Sequence, residues 1–292
     1  MRILVYGASG MLGHKLMLVL GRDHEVYGTL REESVRFLPD GLFDGQNMIA
    51  GISVEDPDSI RRAVIESKPD VVINAIGIIK QLPNSKNVID TLTVNSIFPH
   101  HLSELGNEMG FRLITISTDC VFSGERGNYS ESDIPDATDL YGKSKNLGEI
   151  VGSNCLTLRT SIIGHELGSA HSLLDWFLSN RGGKVKGYAN AIYSGFPTIV
   201  FAAIIDNLIG SHPQLSGLYH VSSDPINKFE LLTLVNDAYA ADVTIERDET
   251  FKIDRSLDST RFRAETGFNP ASWKSMITAM ADDAKIYGTW KQ

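Results

Sequence analysis

The short β-branched run Arg2-Ile3-Leu4-Val5-Tyr6 ends directly in Gly7-Ala8-Ser9-Gly10-Met11-Leu12-Gly13, and an apolar stretch to Leu20 follows. Few folds accept that order, because a spaced-glycine loop between a strand and a helix is the turn of a dinucleotide-binding βαβ unit. Gly7 permits the tight turn, Gly10 lets the backbone approach a pyrophosphate, and Gly13 allows the helix to pack near the sheet. With Ser9, Met11 and Leu12 they form a cradle in which the helix N-terminus faces the anion.

The same alternation runs through the first half of the chain. Arg2 to Tyr6, Glu25 to Thr29, Val71 to Asn74, Arg112 to Ile116 and Leu156 to Arg159 read as strands, and Leu12 to Leu20, Pro57 to Ser67 and Pro99 to Met109 as helices between them. Asn128 to Leu140, rich in Asp, Ser and Pro, reads as a loop. The pattern predicts an α/β fold of Rossmann type, a doubly wound parallel sheet, with a smaller C-terminal α/β substrate-binding domain. Residues 1–160 form the NAD(P)-binding part. Residues 161–292 form mainly the substrate-binding part, with helices near Ser172 to Leu178, Thr198 to Gly210, Lys228 to Tyr239 and Ser272 to Ala284, and with segments free to return to the first sheet.

At 292 residues the chain can bury a large core, and its net charge of -9 argues against a general nucleic-acid or anionic-membrane binder. Cys120 and Cys155 make neither a disulfide framework nor a metal spacing, which fits a reducing cytoplasm. The apolar start is too short for a signal peptide. Gly187 to Ile205 carries no formal charge, yet Asn190, Ser194, Gly195 and Pro197 interrupt it, so it reads as a buried loop leading into a helix. The histidines lack zinc spacing, and no metal is expected.

Chemistry is suggested by Tyr141-Gly142-Lys143-Ser144-Lys145 and by Ser117-Thr118-Asp119 at a strand end. Residues one helical turn apart share a face, so the Lys145 ammonium is expected beside the Tyr141 phenol. A cation there draws the phenol from its free pKa near ~10 toward the working range. Thr118 and Tyr141 would donate to a carbonyl oxygen as negative charge grows on it. Ala75, Ile76 and Gly77 follow a strand at the cofactor edge. No carboxylate stands at the end of the second strand before Arg31, which favours NADP(H) over NAD(H), since an arginine there takes a 2′-phosphate.

Taken together, the glycine spacing, Ser117-Thr118-Asp119-Cys120-Val121-Phe122-Ser123-Gly124, the Tyr-x-x-x-Lys helix and Leu158-Arg159-Thr160-Ser161 resemble the extended short-chain dehydrogenase/reductases. Over nearly the whole chain they are most similar to the dTDP-4-dehydrorhamnose reductases. The resemblance implies hydride transfer to a keto carbon of a nucleotide sugar, with Thr118 beside the carbonyl, Tyr141 the acid and Lys145 on the nicotinamide ribose. It places Ser53 and Val54 at the adenine, counts Asn95 with the cofactor, and sets Asp119, Trp176, Arg255 and Ser259 on the substrate. Tyr193 and Phe196 either line the sugar pocket or fill core.

Dehydratases of the superfamily carry an Asp-Glu pair where this chain has Asp119-Cys120, and reductases usually have tyrosine at position 120. Cysteine there resembles GDP-fucose synthase and the plant epimerase/reductases. That likeness implies a second activity in which Cys120 acts as acid/base opposite Lys184, with a small pocket-wall residue as the alternative. Side chains two apart in an extended segment share a side, which would put Cys120 and Thr118 in one pocket. A nucleotide-sugar epimerase, and a regulatory protein like the methionine adenosyltransferase subunit of this fold, are the other readings. The oligomeric state is open, a homodimer included.

Overall fold

The structure is a computed structural model that describes residues 1–31, 41–43, 47–80, 83–168 and 172–291. In chain order its elements begin with β1 (Arg2–Tyr6), α1 (Gly13–Leu20), β2 (Glu25–Thr29), β3 (Asn47–Ile49), α2 (Pro57–Ser67) and β4 (Val71–Asn74). Next come α3 (Val88–Leu92), α4 (Phe98–Met109), β5 (Arg112–Thr118), α5 (Leu140–Leu147), β6 (Cys155–Thr160), β7 (Ile162–Ile163) and α6 (Leu173–Leu178). The chain finishes with β8 (Lys184–Tyr193), β9 (Phe196–Pro197), α7 (Thr198–Ser211), β10 (Gly217–His220), β11 (Ile226–Asn227), α8 (Lys228–Tyr239), β12 (Thr244–Asp254), α9 (Thr260–Thr266) and α10 (Trp273–Asp283).

Seven strands form one sheet in the order β10-β6-β5-β4-β1-β2-β3, and every pairing in it is parallel. This is the doubly wound Rossmann arrangement, and its order reverses between β1 and β4. Parallel strands need helical crossovers, so both faces of the sheet are covered and its central strands are largely buried. Side-chain alternation along β1 shows the two layers. Ile3 and Val5 enter one core with Leu16 and Met17 of α1, Ile205 of α7 and Met276 of α10. Leu4 and Tyr6 enter another with Ile60 and Val64 of α2 and Phe98 and Leu102 of α4. The first core continues into α8 through Leu231, Leu232 and Val235.

The C-terminal part adds a three-stranded sheet, β11-β8-β12, in which β12 runs parallel and β11 antiparallel to β8. The expected buried loop from Gly187 is instead the second half of β8, whose side chains alternate between exposed and buried up to Ala191. Only after Tyr193 does the chain turn through β9 into α7. Residues after 161 also return to the large sheet, where β10 pairs with β6. Among the described residues no helix is long and apolar enough to cross a membrane, and no group of three or more His, Cys, Asp or Glu is placed to hold a metal ion.

Close approach fixes α5. Gly148 caps it, and a Cβ there would overlap the Asn95 carbonyl oxygen. Gly148→Ala is therefore expected to destabilise the protein by about 1–3 kcal/mol, the usual range for overpacking. Gly210→Ala, on an exposed position of α7 with nothing within 4 Å of the added carbon, should stabilise by about 0.5–1 kcal/mol through helix propensity. Urea midpoints of the two variants should move in opposite directions.

Candidate active site

The cradle lies where the strand order reverses. Gly7 sits at φ +88°, open to glycine, and its carbonyl accepts the Gly10 N–H at 3.0 Å. A Cβ on Gly13 would overlap that same carbonyl, so α1 can start this close to β1 only with glycine there. The Gly7 N–H donates to Thr29 Oγ1 at 3.2 Å, tying the loop to β2. On the β4 side, Ile76 packs against Gly7, and its N–H donates to Asn74 Oδ1 at 3.1 Å. No side chain caps α1 and no acid stands in its first turn, while Ser9 and Gly10 are exposed beside it. An uncapped helix start behind a glycine turn fits the pyrophosphate of a dinucleotide.

Arg31, Ser53 and Val54 meet beyond the ends of β2 and β3. Backbone bonds from Leu30 to Ile49 at 3.0 Å and from Ile52 to Leu30 at 2.9 Å bring the segments together. Glu55, unnoticed in the sequence, joins them: the Ser53 hydroxyl donates to its carboxylate, and that bond together with the nearby Arg31 cation holds the acid below the usual carboxylate range.

At the other side of the crevice β5 ends at Thr118, and the chain turns at once into a single 3-10 turn, Asp119–Val121. Thr118 Oγ1 accepts the Cys120 N–H at 3.1 Å and donates to Asp119 Oδ1 at 3.1 Å. Helix α5 is started by Asp139, whose Oδ1 accepts the Gly142 N–H at 3.0 Å and whose Oδ2 accepts from Lys80 Nζ at 2.9 Å. Tyr141 and Lys145 then lie on consecutive turns, with Thr118 in hydrogen-bonding reach of the phenol. Lys145 Nζ donates to the Ile116 carbonyl at 2.7 Å. Asn95, 1% exposed, bridges the segment after β4 to α5. It accepts from the Ile78 N–H at 2.9 Å and donates to Ile78 O at 2.9 Å and to Ser144 Oγ at 3.1 Å. Asn95 thereby ties the segment after β4 to the helix that carries Tyr141 and Lys145.

Behind the cluster, Glu149 accepts from Ser117 Oγ at 2.6 Å and takes both Nε and Nη2 of Arg159 at 2.7 Å. Arg159 Nη1 lies 3.1 Å from His220 Nε2, and His220 Nδ1 lies 2.9 Å from the Tyr129 carbonyl. A carbonyl only accepts, so Nδ1 carries the proton and Nε2 accepts from the guanidinium. Burial and the neighbouring Arg159 push His220 down to about 4, which keeps it neutral in this role.

Desolvation governs the ionisation of the site. Burial raises the Tyr141 phenol above its ordinary range, helped by Cys120 and opposed by the Thr118 hydrogen bond. Burial lowers Lys145 to about 8, with Glu149 resisting. The anticipated lowering of Tyr141 by Lys145 is thus outweighed by burial, and Tyr141 is held as a protonated donor. Cys120 is pushed up to about 12, first by burial and then by Asp119, which outweigh Arg255 and Lys80. It is a neutral thiol. The 3-10 turn also removes the extended geometry from which a shared side with Thr118 was expected.

Arg255 joins the cluster: its Nε donates to Phe122 O at 2.8 Å, and its charge lowers the pKa of buried Asp119 against the rise that burial causes. The segment after β12 that carries it is anchored by Tyr129, whose N–H donates to Ser256 O at 2.9 Å. Ser259 is 3% exposed and bonds to Ser222 and Arg263, so it ties α9 down. Lys184 is exposed at the start of β8, pairs with Glu246, and lies nine strand positions, about 30 Å, from the end that approaches Asp119. It is not opposite Cys120. Trp176 is 41% exposed on α6 and is available for stacking, but no contact draws it to Thr118 or Tyr141. Lys80 and Lys228 are the cations that sequence reading missed. Lys228 is the first residue of α8, lowered to about 8 by burial against the pull of Asp119 and Cys120. A lysine at the positive end of a helix dipole was a detectable anomaly.

A parallel sheet with a glycine cradle at its switch point, and a threonine, tyrosine and lysine converging across the crevice, is the architecture of an extended short-chain dehydrogenase/reductase. Within that class the chain belongs to the RmlD substrate binding domain family, which it matches over residues 1–286. It is 26% identical over 290 residues to the spore coat polysaccharide biosynthesis protein SpsK of Bacillus subtilis, covering 94% of this chain and 95% of that protein. A dTDP-4-dehydrorhamnose reductase of Aggregatibacter actinomycetemcomitans is 24% identical over 300 residues, with 94% and 97% covered. Among solved structures, a dTDP-4-dehydrorhamnose reductase of Bacillus anthracis in complex with NADP superposes with a TM-score of 0.80 at 20% identity, covering 97% of this chain and 99% of that one.

The Lys145 ammonium has its own pH signature. Its folded pKa of about 8 lies below the ordinary 10.5, so between those values the unfolded chain binds more protons and stability rises with pH. Lys145→Met lacks that rise. The stability of the unmodified protein relative to the variant should therefore be lowest below pH 8 and increase toward pH 10.5 in urea titrations. A difference that stays flat across that window would show the ammonium to be solvated.

Proposed function

We propose that the protein is an NADPH-dependent reductase of the 4-keto group of a nucleotide-linked 4-keto-6-deoxyhexose, acting in polysaccharide precursor synthesis. The observation that carries the reading is the meeting of Thr118, protonated Tyr141 and Lys145 on the far side of the crevice from the glycine cradle. The bound dinucleotide would supply hydride. Thr118 and Tyr141 would hydrogen-bond the carbonyl oxygen as it becomes an alkoxide, and Tyr141 would give it the proton. Lys145, fixed by the Ile116 carbonyl, would reach the nicotinamide ribose, as the family resemblance implies. Lys80 and Arg255 beside Cys120 suit a diphosphate on an otherwise acidic protein.

Sugar chemistry is supported by the family and by the polysaccharide role that the B. subtilis relative's name states. NADPH is favoured by Arg31 and by the NADP complex of the B. anthracis structure. An epimerisation in which Cys120 is the base is disfavoured by its neutral thiol.

NADPH oxidation with a panel of dTDP-, UDP- and GDP-4-keto-6-deoxy sugars tests the activity. Turnover of none would overturn the reading, and turnover of one would set aside a purely regulatory role. With an accepted sugar, Tyr141→Phe should lower kcat by about 10² to 10⁴-fold, the usual contribution of general acid catalysis, while NADPH affinity stays within a factor of about two.

Arg31 gives an independent check. A charge-assisted contact to a 2′-phosphate contributes roughly 1.5–3 kcal/mol, or about tenfold to a hundredfold in affinity. NADPH should bind more tightly than NADH by about that factor, and Arg31→Ala should erase the difference in fluorescence titrations. Glu55→Gln, which removes the competing carboxylate, should widen it.

A further inference from the structure

Two polar groups on the C-terminal side of the crevice are free to meet a ligand, the Tyr193 hydroxyl, buried without a hydrogen-bond partner, and the half-buried Lys228 ammonium. Tyr193, at the end of β8, is 5% exposed, and its hydroxyl lies beside Ser161 without a hydrogen bond of acceptable geometry. Lys228, at the head of α8, holds its ammonium 4.3 Å from the centre of the Tyr193 ring. Among the described residues no carboxylate pairs with it within 4.0 Å. Backbone ties bring the two elements together, because Asn227 pairs with Ile192 and Ile226 with Tyr193. Both groups sense Asp119 electrostatically, and Lys228 also senses Cys120, which in turn acts on Tyr141. The Tyr141 phenol and the Lys228–Tyr193 pair therefore share the Asp119–Cys120 turn as a charged neighbour.

We infer that Lys228 and Tyr193 form a sugar-recognition subsite, donating hydrogen bonds to oxygens of the substrate's hexose away from its reacting carbonyl. The inference rests on the nucleotide-sugar reading above and assigns the part of the substrate that these residues hold. An ammonium and a phenol are both donors, so the atoms they await are acceptors. A buried donor without a partner costs free energy that a ligand oxygen recovers. The diphosphate has other cations: Lys80 is 39% exposed in its pair with Asp139, and Arg255 hangs from the Phe122 carbonyl. Lys228, with the buried Tyr193 hydroxyl beside it, is left for the sugar. These are positioning residues, and they orient the ring so that its carbonyl meets Thr118 and Tyr141.

Calorimetric titration of the NADP⁺-saturated protein with dTDP, UDP and GDP, and with the hexose conjugate of each, separates sugar from diphosphate contacts. The matching conjugate should bind more tightly than its free diphosphate. Lys228→Met should lower conjugate affinity by about tenfold to a hundredfold, the range for a charged hydrogen bond, and leave diphosphate affinity unchanged. Equal losses for both ligands would assign Lys228 to the phosphates, and no loss for either would make it structural; each overturns the subsite.

Tyr193→Phe guards against misfolding of the lysine variant. Removing a hydroxyl without a partner should leave the urea midpoint unchanged or raised while conjugate affinity falls by about threefold to tenfold. A lowered midpoint with unchanged affinity would make the tyrosine a scaffold residue and overturn the assignment. Failure of the unmodified protein to bind any diphosphate or conjugate would overturn the nucleotide-sugar reading and this subsite with it, a result distinct from selective failure in the variants.

Discussion

Everything in the site depends on the place where the parallel sheet reverses its strand order. Crossovers from β1 lead one way to β2 and β3, while the chain returns to lay β4, β5, β6 and β10 on the other side of β1. The loops after β1 and β4 therefore diverge, and the crevice between them cannot be closed by the sheet's own connections. Glycine at positions 7 and 13 lets the backbone itself form one wall. The other wall is formed by β5 where it stops pairing at Thr118. Thr118 is thus placed by sheet geometry, and Tyr141 by a helix that presses against the segment after β4 through Asn95, Ser144 and Gly148.

Burial then sets the chemistry of this crevice. An acidic chain holds Lys145 and the half-buried Lys228 among packed elements, and desolvation lowers both ammonium groups to about 8. The same desolvation keeps Tyr141 and Cys120 protonated. One cause therefore separates the roles: phenol and thiol stay neutral at neutral pH, while the two lysines remain mostly charged donors. The Glu149–Arg159–His220 chain behind them is satisfied internally and keeps the ends of β5, β6 and β10 aligned.

The local signals in the first half were readable because β-branched runs, helix periodicity and the glycine spacing are encoded within a few residues. Strands β1, β2 and β4 lie where those runs end, and β5 and β6 extend one or two residues past them. Long-range features were harder. The turn after Thr118 is made by the Thr118 side chain capping the Cys120 N–H, and that choice overrode the two-residue alternation from which Cys120 was placed. Lys184 was chosen by likeness of a short stretch, yet strand β8 carries the chain a full strand length before it reaches the site. The alternating Lys184-Val185-Lys186-Gly187-Tyr188-Ala189 did contain a strand signal, which the uncharged run beginning at Gly187 obscured. Arg255, read from the resemblance as a substrate residue, lies close enough to act on the Asp119 carboxylate, whereas Ser259, a few residues on, turns into the packing of α9. Lys228 and Tyr193 carry no motif, and only the register of β11 against β8 brings them together.

The edge strand β10 has a consequence for how the chain is made. β6 is buried at all six positions, one flank against β5 and the other against β10, and β10 lies more than fifty residues downstream. While the chain emerges from the ribosome, β6 is an edge with unpaired backbone groups until Gly217–His220 arrives. Such edges recruit other strands, and non-local parallel pairing forms slowly. Nascent chains stopped between Thr160 and Gly217 thus leave that flank of the sheet unpaired, and only the arrival of β10 completes it.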